Sequence, residues 1–186
     1  MTTLASLWLP ILASAVVVFL ASSVIHMLLP WHKSDYPPMP REQEFRDAVR
    51  PLAIPPGDYM VPRAQSMDEL KTDAFRAKQT EGPVVIMTVL PNGVLGMGRS
   101  LLLWFVYLLV VALFGAYVAG RALPPGADYM RVFQFVSATT FAAIAGGLWQ
   151  MSIWYHRAMS ITIKSTVDAL IYAALMAGVF GWLWPQ

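Results

Sequence analysis

The sequence predicts an all-α membrane protein, a four-transmembrane-helix bundle with a small α+β cytoplasmic insertion between helices 1 and 2. Three observations predict it. Of 186 residues, 57% are hydrophobic and 13% charged, with a mean hydropathy of +0.54, whereas about a quarter of the residues in a soluble domain are charged. Four apolar segments reach the length of a membrane crossing, and Lys and Arg gather on one side of them. The chain divides accordingly into transmembrane helix 1 (1–30), a cytoplasmic cap (31–97) and transmembrane helices 2–4 (98–186).

A bilayer core of about 30 Å is crossed by about 20 mostly apolar helical residues. The first such segment, 4–29, holds no Lys, Arg, Asp or Glu and is closed by Pro30. Its flank MTTLASLW lacks the positive n-region of a signal peptide, so it reads as a retained helix with its N-terminus outside. The second, 100–119, lies between Arg99 and Arg121. The third, 132–153, is more polar, with Gln134, Ser137, Thr139, Thr140 and Gln150. The fourth, 167–184, ends against Pro185. One set of helix flanks carries Lys33, Arg41, Arg46, Arg99, Arg157 and Lys164, the other Arg121 and Arg131. The positive-inside rule makes the first set cytoplasmic and puts both chain ends outside, in the periplasm of a bacterial inner membrane.

Between 31 and 97, eight Lys or Arg face nine Asp or Glu, a solvated balance with no polybasic clamp for anionic lipid. Phe45 and Val49 put one apolar stripe on a short helix over 41–50 that stops before Pro51. Ser66 and Glu69 form a capping-box pattern, predicting a helix over 67–79 with Met67, Leu70 and Ala74 on one face. VVIMTVL at 84–90 is β-branched and cut off by Pro-Asn-Gly, which reads as a strand, with 59–62 as its partner. The near-repeat PPGDYM and PPGADYM, at 55–60 and 124–130, is attributed to turn chemistry, because nothing around the copies is alike.

The net charge of +2 with interspersed signs offers no basic stripe, which argues against nucleic-acid binding. Cysteine is absent, removing thiolate metal sites and cysteine nucleophiles. No phosphate loop, dinucleotide fingerprint, GxSxG or HExxH occurs. The chain is therefore read as non-enzymatic, with no cofactor.

Asp168 is the single acid within a predicted span, and an intramembrane carboxylate raises a functional question by default. With Lys164, Ser165, Tyr172 and His26 it makes a candidate intramembrane polar site. The structural alternative, favoured at this level, pairs Lys164 with Asp168 one turn along the helix, near its cytoplasmic end. His26, His32 and His156 all fall towards cytoplasmic helix ends, so His26 and His156 are candidate metal or axial haem ligands. No HxxxH or CxxCH spacing supports this, and a bond from His26 to Ser22 is the simpler expectation. Small residues recur every fourth position in Ala112, Ala116 and Gly120, in Thr139, Ala143 and Gly147, and in Ala173, Ala177 and Gly181. Such rows let helices approach closely.

SSVIHMLLPWHKSDY (22–36), GPVVIMTVLPNG (82–93) and TIKSTVDALIYAALMAGVFGWLWP (162–185) together resemble a family of bacterial four-span inner-membrane proteins of about this length. The resemblance implies a bacterial inner-membrane setting and no activity, cofactor or site residue. The leading expectation is a membrane subunit that packs in the lipid against other subunits or further copies of itself. The alternatives are a small oligomeric transporter or ion-conducting protein using Asp168, and a haem- or pigment-binding protein.

Overall fold

The computed structural model describes residues 2–186, and the chain forms two compact units, Met1–Pro37 with Gly96–Gln186, and Pro38–Leu95. Among the described residues the first unit holds four helices long and apolar enough to cross a bilayer: Leu4–Leu28, Gly98–Ala122, Tyr129–Ile153 and Met159–Trp182. Each packs on two neighbours, so the order round the bundle follows the chain, first to second to third to fourth and back to the first.

The first crossing-length segment opens with a 3₁₀ turn (Leu4–Leu7), continues as α1 (Trp8–Ser23) and closes in a wide π turn (Val24–Leu28). Leu29 is extended because Pro30 follows, and Pro30–His32 makes a single 3₁₀ turn. In the second unit α2 spans Glu42–Val49, β1 Gly57–Val61, α3 Asp73–Glu81 and β2 Val85–Val89. The bundle resumes with α4 (Gly98–Ala122), α5 (Tyr129–Ala145), α6 (Leu148–Ile153) and α7 (Met159–Trp182).

Periodicity sets which faces meet. Leu108, Ala112, Ala116 and Ala119 of α4 are fully buried, as are Ala169, Ala173, Met176, Ala177 and Phe180 of α7, to 2% exposure or less. These stripes follow the 3.6-residue period. Small residues make up much of these stripes in α4 and α7. At Gly181 a Cβ would lie 2.6 Å from the Tyr129 ring, and at Gly120 one would lie 2.9 Å from the Thr2 carbonyl oxygen. Thr2 N–H donates to Gly120 O (2.9 Å), and its hydroxyl donates to Leu123 O (3.1 Å), fastening the chain's start to the end of α4.

The row Thr139, Ala143 and Gly147 lies off the buried face of the bundle. Thr139 is half-buried and Ala143 and Gly147 are exposed, while Val132, Val136 and Thr140 carry the buried face of α5. Larger side chains fill that seam, and Gly147 lies where the third segment is interrupted between α5 and α6. There a Cβ on Gly146 would stand 2.5 Å from Ala142 O. The fourth helix also starts earlier than hydropathy predicts, at Met159 rather than 167, because the mixed stretch 159–166 continues the helix with Ile161 and Thr162 buried. Asp168 therefore sits about two and a half turns inside α7, not near its end.

In the smaller unit β1 and β2 pair antiparallel with Gly57 opposite Val89 and Val61 opposite Val85, and Thr88 Oγ1 donates to Asp58 Oδ1 across the strands (2.6 Å). The predicted helix over 67–79 is instead a 3₁₀ turn (Glu69–Lys71) followed by α3. Thr72 interrupts it: its hydroxyl accepts from Phe75 N–H (3.2 Å) and starts a new helix. Ser66 does accept from Glu69 N–H (3.1 Å), but Glu69 reaches back to Gln65 N–H (2.6 Å). Phe75, at 2% exposure, is the only buried residue of this unit, so its own core is minimal.

Candidate functional site

The composition change at Trp31 does not coincide with the boundary between the compact units, which falls after Pro37. Residues 31–37 belong with the helices as a hook folded over one end of the bundle. Pro30 stops the helix, and Asp35 N–H donates to His32 O (3.0 Å) to turn the chain back. The hook returns His32, Ser34 and Asp35 to α7.

There they meet the polar residues of α7. His32 lies between two carboxylates, with Nδ1 2.6 Å from Asp35 Oδ2 and Nε2 2.8 Å from Asp168 Oδ2. Lys164 Nζ donates to Asp35 Oδ1 (2.7 Å) and Ser34 Oγ (2.8 Å). It also stands 6.0 Å over the Trp31 ring, at the outer limit of a cation–π contact. The chain Asp168–His32–Asp35–Lys164 thus runs from the bundle interior to the hook. The side chains of Asp168 and Asp35 are 5% and 8% exposed, so each carboxylate relies on these partners. Burial alone would raise the Asp35 carboxyl, but the hydrogen bonds from Lys164 and His32 outweigh it and hold it below the usual carboxylate range.

The wide turn at the end of the first helix aims the next member. His26, exposed on its outer side, stacks on His32 with ring centroids 4.2 Å apart and planes 23° from parallel. His26, His32 and Asp168 each offer a ligand atom, and the three atoms lie within 4.8 Å of one another. A cavity of about 630 Å³ opens beside them, lined by His26, Trp104, Tyr107, Ser165, Asp168 and Tyr172 among others. The Tyr172 hydroxyl is buried there with no hydrogen-bond partner among the described residues. Trp104, whose Nε1–H donates to Ser22 Oγ (2.9 Å), packs edge-on against Tyr172 at 6.2 Å.

All four candidates Asp168, Lys164, Tyr172 and His26 come together at this end of the bundle, but with other partners than the sequence suggests. Lys164 does not pair with Asp168, because the hook places Asp35 where a long side chain extends outward without folding back into the bundle. Ser22 is taken by Trp104, so His26 stacks on His32 instead. His156 stays apart, in the turn before α7 with φ of +54°, and among the described residues the metal-competent group does not include it. Sequence reasoning missed His32 and Asp35 as site residues. Their one available signal is the i, i+3 His–Asp pair just after a helix-stopping proline. No protein-family model matches the chain, and no curated protein or solved structure is significantly similar to it.

Proposed function

We propose that this is a multi-pass membrane protein of a bacterial inner membrane, with residues 31–97 cytoplasmic, which handles a cation at the Asp168–His32 site as a small oligomeric transporter or ion-conducting protein. The observation that carries the proposal is the buried Asp168 carboxylate, deep in α7, bonded to an imidazole and bordering an open cavity. A helix needing only mechanical support would be served by apolar contacts. An acid at this depth is costly, and such residues mark ion pathways. Four helices give one narrow bundle, so a complete pathway needs more than one copy. Flux into proteoliposomes under an imposed potential tests it, with proton uptake read by an entrapped pH dye and divalent-metal uptake by an entrapped metal-sensitive dye. Wild type should exceed empty vesicles and Asp168→Asn should fall to the background. Equal rates for wild type and Asp168→Asn would remove Asp168 from the pathway.

One observation favours a second reading, a non-enzymatic subunit of a larger membrane complex. Ala143 and Gly147 form a small-residue strip left exposed on the third segment, the type of surface on which another helix packs closely. Purification in gentle detergent at native expression separates the readings: a co-purifying partner protein supports the subunit, whereas copies of this chain alone exclude it.

A further inference from the structure

We propose that His26, His32 and Asp168 bind one divalent transition-metal ion, with Asp35 as the positioning residue for His32. This deepens the cation reading above by naming the class of cation, and it rests on that reading only for its physiological use, since the site stands on its own geometry. Two neutral imidazoles and a carboxylate suit zinc-like and neighbouring first-row ions better than magnesium or calcium, which prefer oxygen.

The three ligand atoms already lie within 4.8 Å of one another. Around a tetrahedral ion with bonds of about 2.0–2.1 Å, ligand atoms stand about 3.4 Å apart. His32 Nε2 and Asp168 Oδ2, at 2.8 Å, need to part only slightly. The third ligand must close in, and the His26 ring, stacked on His32 and without a side-chain hydrogen bond among the described residues, turns towards the ion without breaking one. The place the ion would take is that of the His32–Asp168 hydrogen bond. The ion keeps both partners, and the proton of that hydrogen bond leaves to solvent.

Two further features belong to a metal site. The Asp35 carboxylate, 2.6 Å from His32 Nδ1, fixes the tautomer that leaves Nε2 as ligand, and Lys164 fixes Asp35 in turn. This carboxylate–histidine arrangement is the usual outer shell of a metal-bound imidazole. The unpartnered Tyr172 hydroxyl lines the same cavity, which leaves an open side with a donor for water or another ligand. Charge agrees as well: Asp35 is matched by Lys164, whereas the only ionic partner of Asp168 among the described residues is His32.

The test uses the full chain in detergent, stripped with chelator and titrated with Co²⁺, whose visible d–d absorption reports nitrogen and oxygen coordination. One saturable Co²⁺ per chain is expected. His26→Ala and Asp168→Asn should each weaken it at least tenfold, Asp35→Asn by about 10–100-fold, and His156→Ala should match wild type. His26→Ala decides if Asp168→Asn fails to fold, because it removes no hydrogen bond. Absence of a saturable band, or a wild-type band in His26→Ala, overturns the site, and so does equal loss in His156→Ala. Binding without flux keeps the site and ends the transport reading. Flux through Asp168 without Co²⁺ binding does the reverse.

Discussion

If the hook is held by Asp168 through His32, the two residues must be energetically coupled, and more strongly than the Lys164–Asp168 pair that helical spacing suggests. The perturbation is a double-mutant cycle of His32→Gln and Asp168→Asn beside a second cycle of Lys164→Gln and Asp168→Asn. The first pair is 2.8 Å apart with side chains 13% and 5% exposed, so its charge-assisted bond is worth about 1.5–3 kcal/mol. That corresponds to about ten- to hundredfold in the unfolding equilibrium. The second pair makes no ion pair among the described residues, and its coupling should stay below about 0.5 kcal/mol, the size of an exposed i, i+4 pair. Denaturant unfolding in micelles supplies both values from intrinsic fluorescence, for which the chain holds seven Trp. Trp104, beside Tyr172, reports locally. A Lys164–Asp168 coupling larger than the His32–Asp168 coupling would refute the reasoning.

Gly181→Val should lower the unfolding midpoint, by about 1–3 kcal/mol of overpacking, because even a Cβ there collides with the Tyr129 ring at 2.6 Å; Ala138→Val on the exposed face of α5 is the control and should change little. Tyr172→Phe should leave stability unchanged or slightly raised, since the lost hydroxyl has no partner among the described residues and an unsatisfied buried polar group costs about 1–3 kcal/mol; a clear fall in the thermal midpoint would mean that a bound molecule satisfies it. Because the Asp35 carboxyl is held below its usual range, its stabilisation of the hook is fully present above the unfolded value of about 4 and is lost as pH falls through the lower folded value. Protection of Pro37 from proteolysis should therefore weaken in acid for wild type and show a smaller pH dependence in Asp35→Asn. Cysteines placed at Gln43 or Lys78, in a chain with none of its own, should resist membrane-impermeant thiol reagents in intact cells, whereas Gly126→Cys and Gln186→Cys should react.

The four long helices were legible because they depend on a local quantity, the run of uncharged residues, which one residue type after another supplies. The strand pair was legible for the same reason, through the β-branched stretch at 84–90. Errors arose where a side chain competes with the backbone over a few residues. Thr72 starts a new helix because its hydroxyl reaches Phe75 N–H, and nothing in the capping pattern at Ser66 ranks it above that alternative. Which row of α5 meets the bundle was illegible for a different reason. Period alone does not say which of several faces is turned inward, and Val132, Val136 and Thr140 share the same spacing as Thr139, Ala143 and Gly147.

The site was half legible, and its missing half explains why its meaning changed. Asp168 stands out from sequence because it is the one acid in an apolar run, and Lys164 and Tyr172 follow by helical spacing. Such spacing sees only one helix. His32 and Asp35 lie in a composition that belongs with the cap, 136 residues from Asp168 in the case of His32, and only the reversal after Pro30 brings them back. Without the hook, Lys164 is the natural partner of Asp168, and the pair is a snorkelling device at a helix end. With it, Lys164 is spent on Asp35, and Asp168 is left to share an imidazole beside a cavity. The same two residues of α7 therefore read as structural or as functional according to a seven-residue segment outside any helix long enough to cross a bilayer. That is why the coupling of Asp168 to His32, set against its coupling to Lys164, distinguishes the two readings.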